Sequence, residues 1–243
     1  MRGTLSVLVL IAVFLEPSTA ICVSKTLTFC QYGFNQNLNV TSSTADWTNP
    51  GTLSFIVRSY YIQGIDGLLA VCNARQQFAH CLGDQYDSCI DKLNFIGSGQ
   101  SPDDAQAYVQ LFKTMEFDCN GGFIQSSRNW PCIATILQTK DSELNACRQT
   151  YDNSIKQNSA SLCQASADYE TCVRNQYSST CGAETSWWSC ERTRRGLSID
   201  EDCPTDNCSL VASSGAKSTD PVKSIFEREV DVARVLHALA NSH

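Results

Sequence analysis

The chain has 243 residues, 18 of them basic and 25 acidic, for a formal net charge of −7 at pH 7. An acidic balance does not suit nucleic acid or an anionic membrane surface as the main partner, since phosphate backbones select clusters of Lys and Arg. Hydrophobic residues at 42% and charged residues at 18% belong to a folded globular protein and exclude wholesale disorder.

The chain opens on a leader. Arg2 precedes an uninterrupted apolar run from Leu5 to Leu15, Pro17 breaks it, and Ser18-Thr19-Ala20 presents small residues ahead of a cleavage point. Residues 1–20 read as a secretory signal peptide, because the apolar stretch is too short to span a bilayer as a helix. No later segment is apolar for long enough to predict a membrane span. Charges at Lys223, Glu227, Arg228, Glu229, Asp231 and Arg234 exclude a lipid-anchor signal at the end of the chain. The expected location is secreted, extracellular.

All 14 cysteines follow the leader: Cys22, Cys30, Cys72, Cys81, Cys89, Cys119, Cys132, Cys147, Cys163, Cys172, Cys181, Cys190, Cys203 and Cys208. Their number is even, and C-x-x-C pairs of the kind that hold zinc are absent, so the reading is disulfides in an oxidising compartment. No metal and no cofactor is implied. Residues 21–208 form the predicted cysteine-rich domain, long enough to bury a core that the bridges reinforce.

Residues 22–49 read as a short extended N-terminal segment, because Ser24 to Phe29 alternates roughly as a strand does. The polar stretch that follows holds Asn39-Val40-Thr41, an N-glycosylation sequon on an expected loop. From residue 51 the period is helical. Leu53, Phe55, Ile56 and Val57 open one helix, and Leu68, Leu69, Val71, Cys72, Phe78 and Leu82 carry the next. Ser101-Pro102-Asp103-Asp104 is a helix start: a capping serine, proline at the first helical position and carboxylates in the first turn. Behind it Ala105, Tyr108, Val109, Phe112, Met115 and Cys119 form one stripe. Further helices are predicted from Asp141, through Leu162 to Val173, and over Ala183 to Arg195, with Gly196 placed as a C-cap.

The predicted fold is therefore all-α, a disulfide-stapled multi-helix bundle. Cys163 and Cys172 share one predicted helix, roughly 13 Å apart along its axis and on opposite faces, so they cannot pair with each other. Cys72 and Cys81 are separated by the same argument. The bridges are expected to join different helices. Residues 209–219 read as a small-residue linker, and 220–243 as an amphipathic tail helix started by Asp220-Pro221.

The catalytic inventory is thin. His80 reads as a partly buried structural histidine, and Gly97-Ser98-Gly99 is a loop, not a nucleophile elbow. Asp200-Glu201-Asp202 with Asp206 lacks the turn glycine of a calcium loop and reads as a solvated acidic stretch. No catalytic residue is predicted. Arg192-Thr193-Arg194-Arg195 matches the basic pattern cut by secretory convertases, which would process the chain after Arg195. The same arginines also suit the last turn of a helix, where they complement the dipole. Trp187 and Trp188 point about 100° apart on a helix, so one is a candidate partner contact, against packing of both at a helix junction. Asn207-Cys208-Ser209 is a second sequon.

Cys72-Asn73-Ala74-Arg75, Phe78, Cys81-Leu82-Gly83, Cys89, Cys119-Asn120-Gly121-Gly122-Phe123 and Trp130-Pro131-Cys132-Ile133 give the chain a family look. It resembles the cysteine-rich secreted domains of unknown function abundant in nematodes, over roughly residues 22–208. The resemblance implies a helical, disulfide-stabilised extracellular module with no catalytic residues to carry over. The expected function is a non-enzymatic interaction protein for an extracellular protein or glycan. A carrier of a lipid or small apolar ligand, and a precursor processed after Arg195, are the alternatives.

Overall fold

A computed structural model describes residues 20–41, 45–197, 203 and 208, and among these every regular element is helical. The leader to residue 19, residues 200–202, Asp206, Asn207, the linker 209–219 and the tail 220–243 lie outside the described residues. In chain order come α1 (Ser24–Asn37), α2 (Pro50–Tyr61), α3 (Ile65–Leu82), the short α4 (Tyr86–Cys89) and α5 (Lys92–Gly97). Then follow α6 (Pro102–Cys119), α7 (Phe123–Thr139), α8 (Asp141–Gln157), α9 (Leu162–Cys181) and α10 (Ala183–Leu197).

The all-α, disulfide-stapled bundle stands, with three local corrections. The N-terminal segment is not extended; it is α1. Leu27, Cys30, Gln31 and Phe34 recur at helical spacing and are buried. Thr28, which favours strands by propensity, donates its hydroxyl to the Ser24 carbonyl at 2.9 Å and so sits in the helix without an orphaned polar group. Second, α7 runs through Pro131, where sequence reading found no helix. An interior proline costs roughly 3 kcal/mol. Burial of Trp130, Ile133, Ala134 and Ile136 on one face outweighs that. Third, Gly196 is not a C-cap. It lies inside α10, where an added Cβ would stand 2.6 Å from Thr114 Cγ2, so it lets α10 approach α6 closely.

The Ser101 start holds as read: its hydroxyl accepts the Asp104 N–H at 3.1 Å, with Pro102 beginning α6. α6 is the axis of the core. Tyr108, Phe112 and Met115 are wholly buried, and Phe34 and Phe78 pack on Phe112 at 5.4 and 4.7 Å between ring centroids. At the α2–α3 crossing a Cβ on Gly67 would fall 1.8 Å from the Tyr60 carbonyl oxygen, so only glycine fits there. Tyr151, Ala165 and Leu197 form a separate, smaller cluster under α8–α10.

The bridges are Cys22–Cys89, Cys30–Cys81, Cys72–Cys119, Cys132–Cys181, Cys147–Cys172, Cys163–Cys203 and Cys190–Cys208. As geometry required, neither Cys163 with Cys172 nor Cys72 with Cys81 is joined. Cys203 and Cys208 do not pair with each other but reach back to α9 and α10. A further regularity emerges. Number the six cysteines from Cys22 to Cys119, and the six that pair among themselves from Cys132 to Cys203, in order along the chain. Both sets join first to fifth, second to fourth and third to sixth. Six cysteines admit about 15 connectivities, so the same choice twice marks two halves built on one plan. No bridge crosses between residues 22–119 and 132–208.

Candidate functional site

The halves share one hydrophobic core, and a buried ion pair lies within their contact. Asp118, at the end of α6, is wholly buried. Arg192 Nε donates to its two carboxylate oxygens at 3.0 and 2.9 Å, and the Tyr61 hydroxyl donates to Oδ2 at 3.1 Å. The guanidinium lies 5.6 Å from the Trp188 ring centre and 5.9 Å from that of Tyr61. Trp130 Nε1 donates to the Tyr61 carbonyl at 3.0 Å, tying α7 in. Burial lifts the Asp118 carboxyl above its ordinary pKa, with Arg192 and Tyr61 offsetting part of the effect. Burial also lifts the Tyr61 hydroxyl well above its usual value, helped by the neighbouring Asp118. A carboxylate with both oxygens engaged and no exposure meets no substrate. It is a clasp between α2, α6 and α10.

Trp188 is 1% exposed, so the partner contact envisaged for it is withdrawn: it packs edge-on against Trp130 and Tyr177 and faces Arg192. Trp187 is half-buried against Phe117 at 6.2 Å. Both tryptophans pack at the helix junction. His80 is exposed, not partly buried, because it lies on the outer face of α3. Among the described residues, Glu170, Cys190 and Cys208 are close enough to hold a metal, but both sulfurs are committed to one disulfide and offer no thiolate.

The basic tetrapeptide is helical. Arg192 serves the clasp, and Thr193 is buried with its hydroxyl donating to Ser189. Glu191 takes Arg194 at 2.7 Å and Arg195 at 3.7 Å. A protease needs an extended backbone, which the folded helix withholds. The arginines in the last turn of α10 fit the dipole account.

Between the halves lies a groove of about 670 Å³ that sequence reading missed. The first half contributes Ile90, Leu93 and Val109; the second contributes Tyr151, Ile155 and Leu162. Charges of both signs rim it. Lys156 of α8 reaches Asp103 of α6 at 3.4 Å, and Arg148 Nε donates to both Asp152 oxygens at 2.9 and 3.1 Å. Arg148 also donates to Gln110 of α6. Leu93 is 72% exposed at one lip. A signal for the groove existed in the charges interleaved with Tyr151 and Ile155 on α8, but only tertiary placement sets them opposite α6. For the clasp the signal was clearer: Asp118 falls at stripe spacing after Leu111 and Met115, where a carboxylate must be paired.

No protein-family model, no curated protein and no solved structure matches the chain. The site must be read from its own chemistry.

Proposed function

We propose that this chain is a secreted, non-enzymatic interaction module of the cysteine-rich nematode type that binds a segment of an extracellular protein in the groove between its halves. The seven bridges suit an oxidising compartment, and no helix among the described residues is long and apolar enough to cross a membrane. The observation that carries the reading is the groove itself: an apolar floor with a two-signed rim, at the seam between two separately stapled units. Such a lining matches a peptide that presents apolar anchors flanked by charges better than it matches a glycan or a lipid chain. Charged side chains from Asp87 to Lys156 line the groove, and a lipid's hydrocarbon would strip their water without replacing it.

The test pairs the native protein with a Leu93→Glu, Ile155→Glu variant as baits in extracellular fluid, each with a photo-crosslinker at Lys92. A protein captured by the native bait and lost by the variant is expected. Equal capture by both discards the groove, and no capture by either discards the interaction reading. A native mass spectrum of the purified protein carrying an apolar ligand would favour the carrier.

A further inference from the structure

We infer that Asn39 carries an N-linked glycan whose first sugar covers the hollow between the end of α1 and α2. The inference rests on the chain's entry into the secretory pathway, as proposed above.

The local geometry is specific. Asn39 has φ of 50°, the left-handed conformation that Asn tolerates better than any other residue with a Cβ. The Val40 N–H bonds to the Asn35 carbonyl at 2.8 Å and the Asn39 N–H to Gln36 at 3.0 Å, which is the Schellman ending of α1. Asn39 is therefore the cap residue itself. That role alone explains an Asn at this position, but not a threonine two residues on. The cap buries Val40 at 8% exposure while Asn39 and Thr41, its neighbours on either side, are exposed. Both side chains that a glycosyl transferase reads thus face solvent, and the intervening residue anchors them. Asn39 and Thr41 are thus open to solvent among the described residues.

Beside them is an open hollow of about 390 Å³, lined by Asn39, Thr41, Ile56, Ser59, Tyr60 and Gln63. Its wall is fixed: the Tyr60 hydroxyl donates to the Leu38 carbonyl at 2.6 Å, and Gln63 Nε2 to the Ser59 carbonyl at 2.9 Å. Half-buried Ile56 and the Tyr60 ring offer an apolar surface to the face of a pyranose, with Gln63 at its rim. In the modification, the Asn39 amide nitrogen attacks the anomeric carbon of an oligosaccharide borne on a lipid pyrophosphate. The N–C bond forms, the C–O bond to pyrophosphate breaks, and the amide gives up one proton. The lipid pyrophosphate leaves with the bonding pair, with no change in oxidation state.

The experiment expresses the full chain in eukaryotic cells behind its own leader and, in parallel, behind a heterologous one. Peptide mapping after peptide-N-glycosidase treatment, with Asn207 read on its own peptide, is expected to show Asn39 converted to Asp. Asn39→Gly keeps the cap and Thr41→Ala keeps the left-handed Asn; each is expected to abolish modification at residue 39 with all bridges intact. An unmodified Asn39 in heterologously led, exported protein overturns the inference. Failure of the native leader alone to export overturns the secretion reading instead. Trimming to a single sugar is expected to leave Ile56–Gln63 amide exchange slow, and complete removal to speed it. Equal exchange in the two forms overturns the seating of the sugar in the hollow.

Discussion

Residues 22–119 and residues 132–208 carry the same permutation of bridges but contribute unequally to one core. The first half is filled with aromatic rings: Phe34, Phe78, Phe95, Tyr108 and Phe112 are all buried around α6. The second half adds Trp130, Ile133, Ile136, Val173, Tyr177 and Trp188 to that same core, keeps a small cluster of its own in Tyr151, Ala165 and Leu197, and has a seventh bridge, Cys190–Cys208. No bridge crosses the seam, but the core does, with Trp130 packed edge-on against Tyr61 at 5.1 Å between ring centroids. Beside that packing lies the Asp118–Arg192 clasp, and Gly196 lets α10 lie against α6.

The sharpest way to break this arrangement is Arg192→Met. It leaves the Asp118 carboxylate buried without its cation, with an expected loss of about 3–5 kcal/mol at pH 7 by denaturant unfolding. The carboxyl pKa, already raised by burial, rises further in the folded state, so the folded protein binds a proton that the unfolded chain has released. The penalty should therefore shrink as pH falls toward the ordinary carboxylate range and grow as pH rises. Adding Asp118→Leu should restore most of the loss and remove the pH dependence; a double variant as unstable as the single one would discard the clasp.

Next in size are the bridges. Removing Cys30–Cys81, which spans 51 residues, or Cys147–Cys172, which spans 25, is expected to cost about 3–4 kcal/mol each. By loop entropy alone the longer should cost about 0.6 kcal/mol more. A markedly larger cost in the second half would mean that α8 and α9 depend more heavily on their bridge than α1 and α3 do on theirs. Gly196→Ala tests the seam without touching charge, and the contact with Thr114 predicts a loss of about 1–3 kcal/mol. If stability rises instead, α10 has room to move and helix propensity governs that position. The smallest effect is on mass. A cut after Arg195 should add only a water to the non-reduced protein, because Cys163–Cys203 and Cys190–Cys208 retain the C-terminal piece. Reduction should release that piece.

Sequence patterning reached the fold wherever a helix announced itself at both start and stripe. α6 did so through Ser101-Pro102 and the run from Ala105 to Cys119, and α8 to α10 through their apolar spacing. It failed at α1, whose threonines carry strand propensity that tertiary contact overrides, and at α7, where Pro131 is a local stop signal that buried Trp130 outweighs. Geometry excluded pairings along one helix, but the choice among the rest depends on which helices meet. The groove was illegible for the same reason, since its two walls come from segments about 50 residues apart in the chain.

The confinement of each bridge to its own half permits an ordered assembly. In a chain that enters an oxidising lumen N-terminus first, as proposed above, the three bridges of residues 22–119 have all their cysteines once Cys119 has arrived, ahead of those of the second half. The number of possible mispairings falls from that of fourteen thiols at once to that of two smaller sets taken in turn. The short turn at Asn120–Gly122 thus punctuates oxidative folding, closing one problem before the next begins.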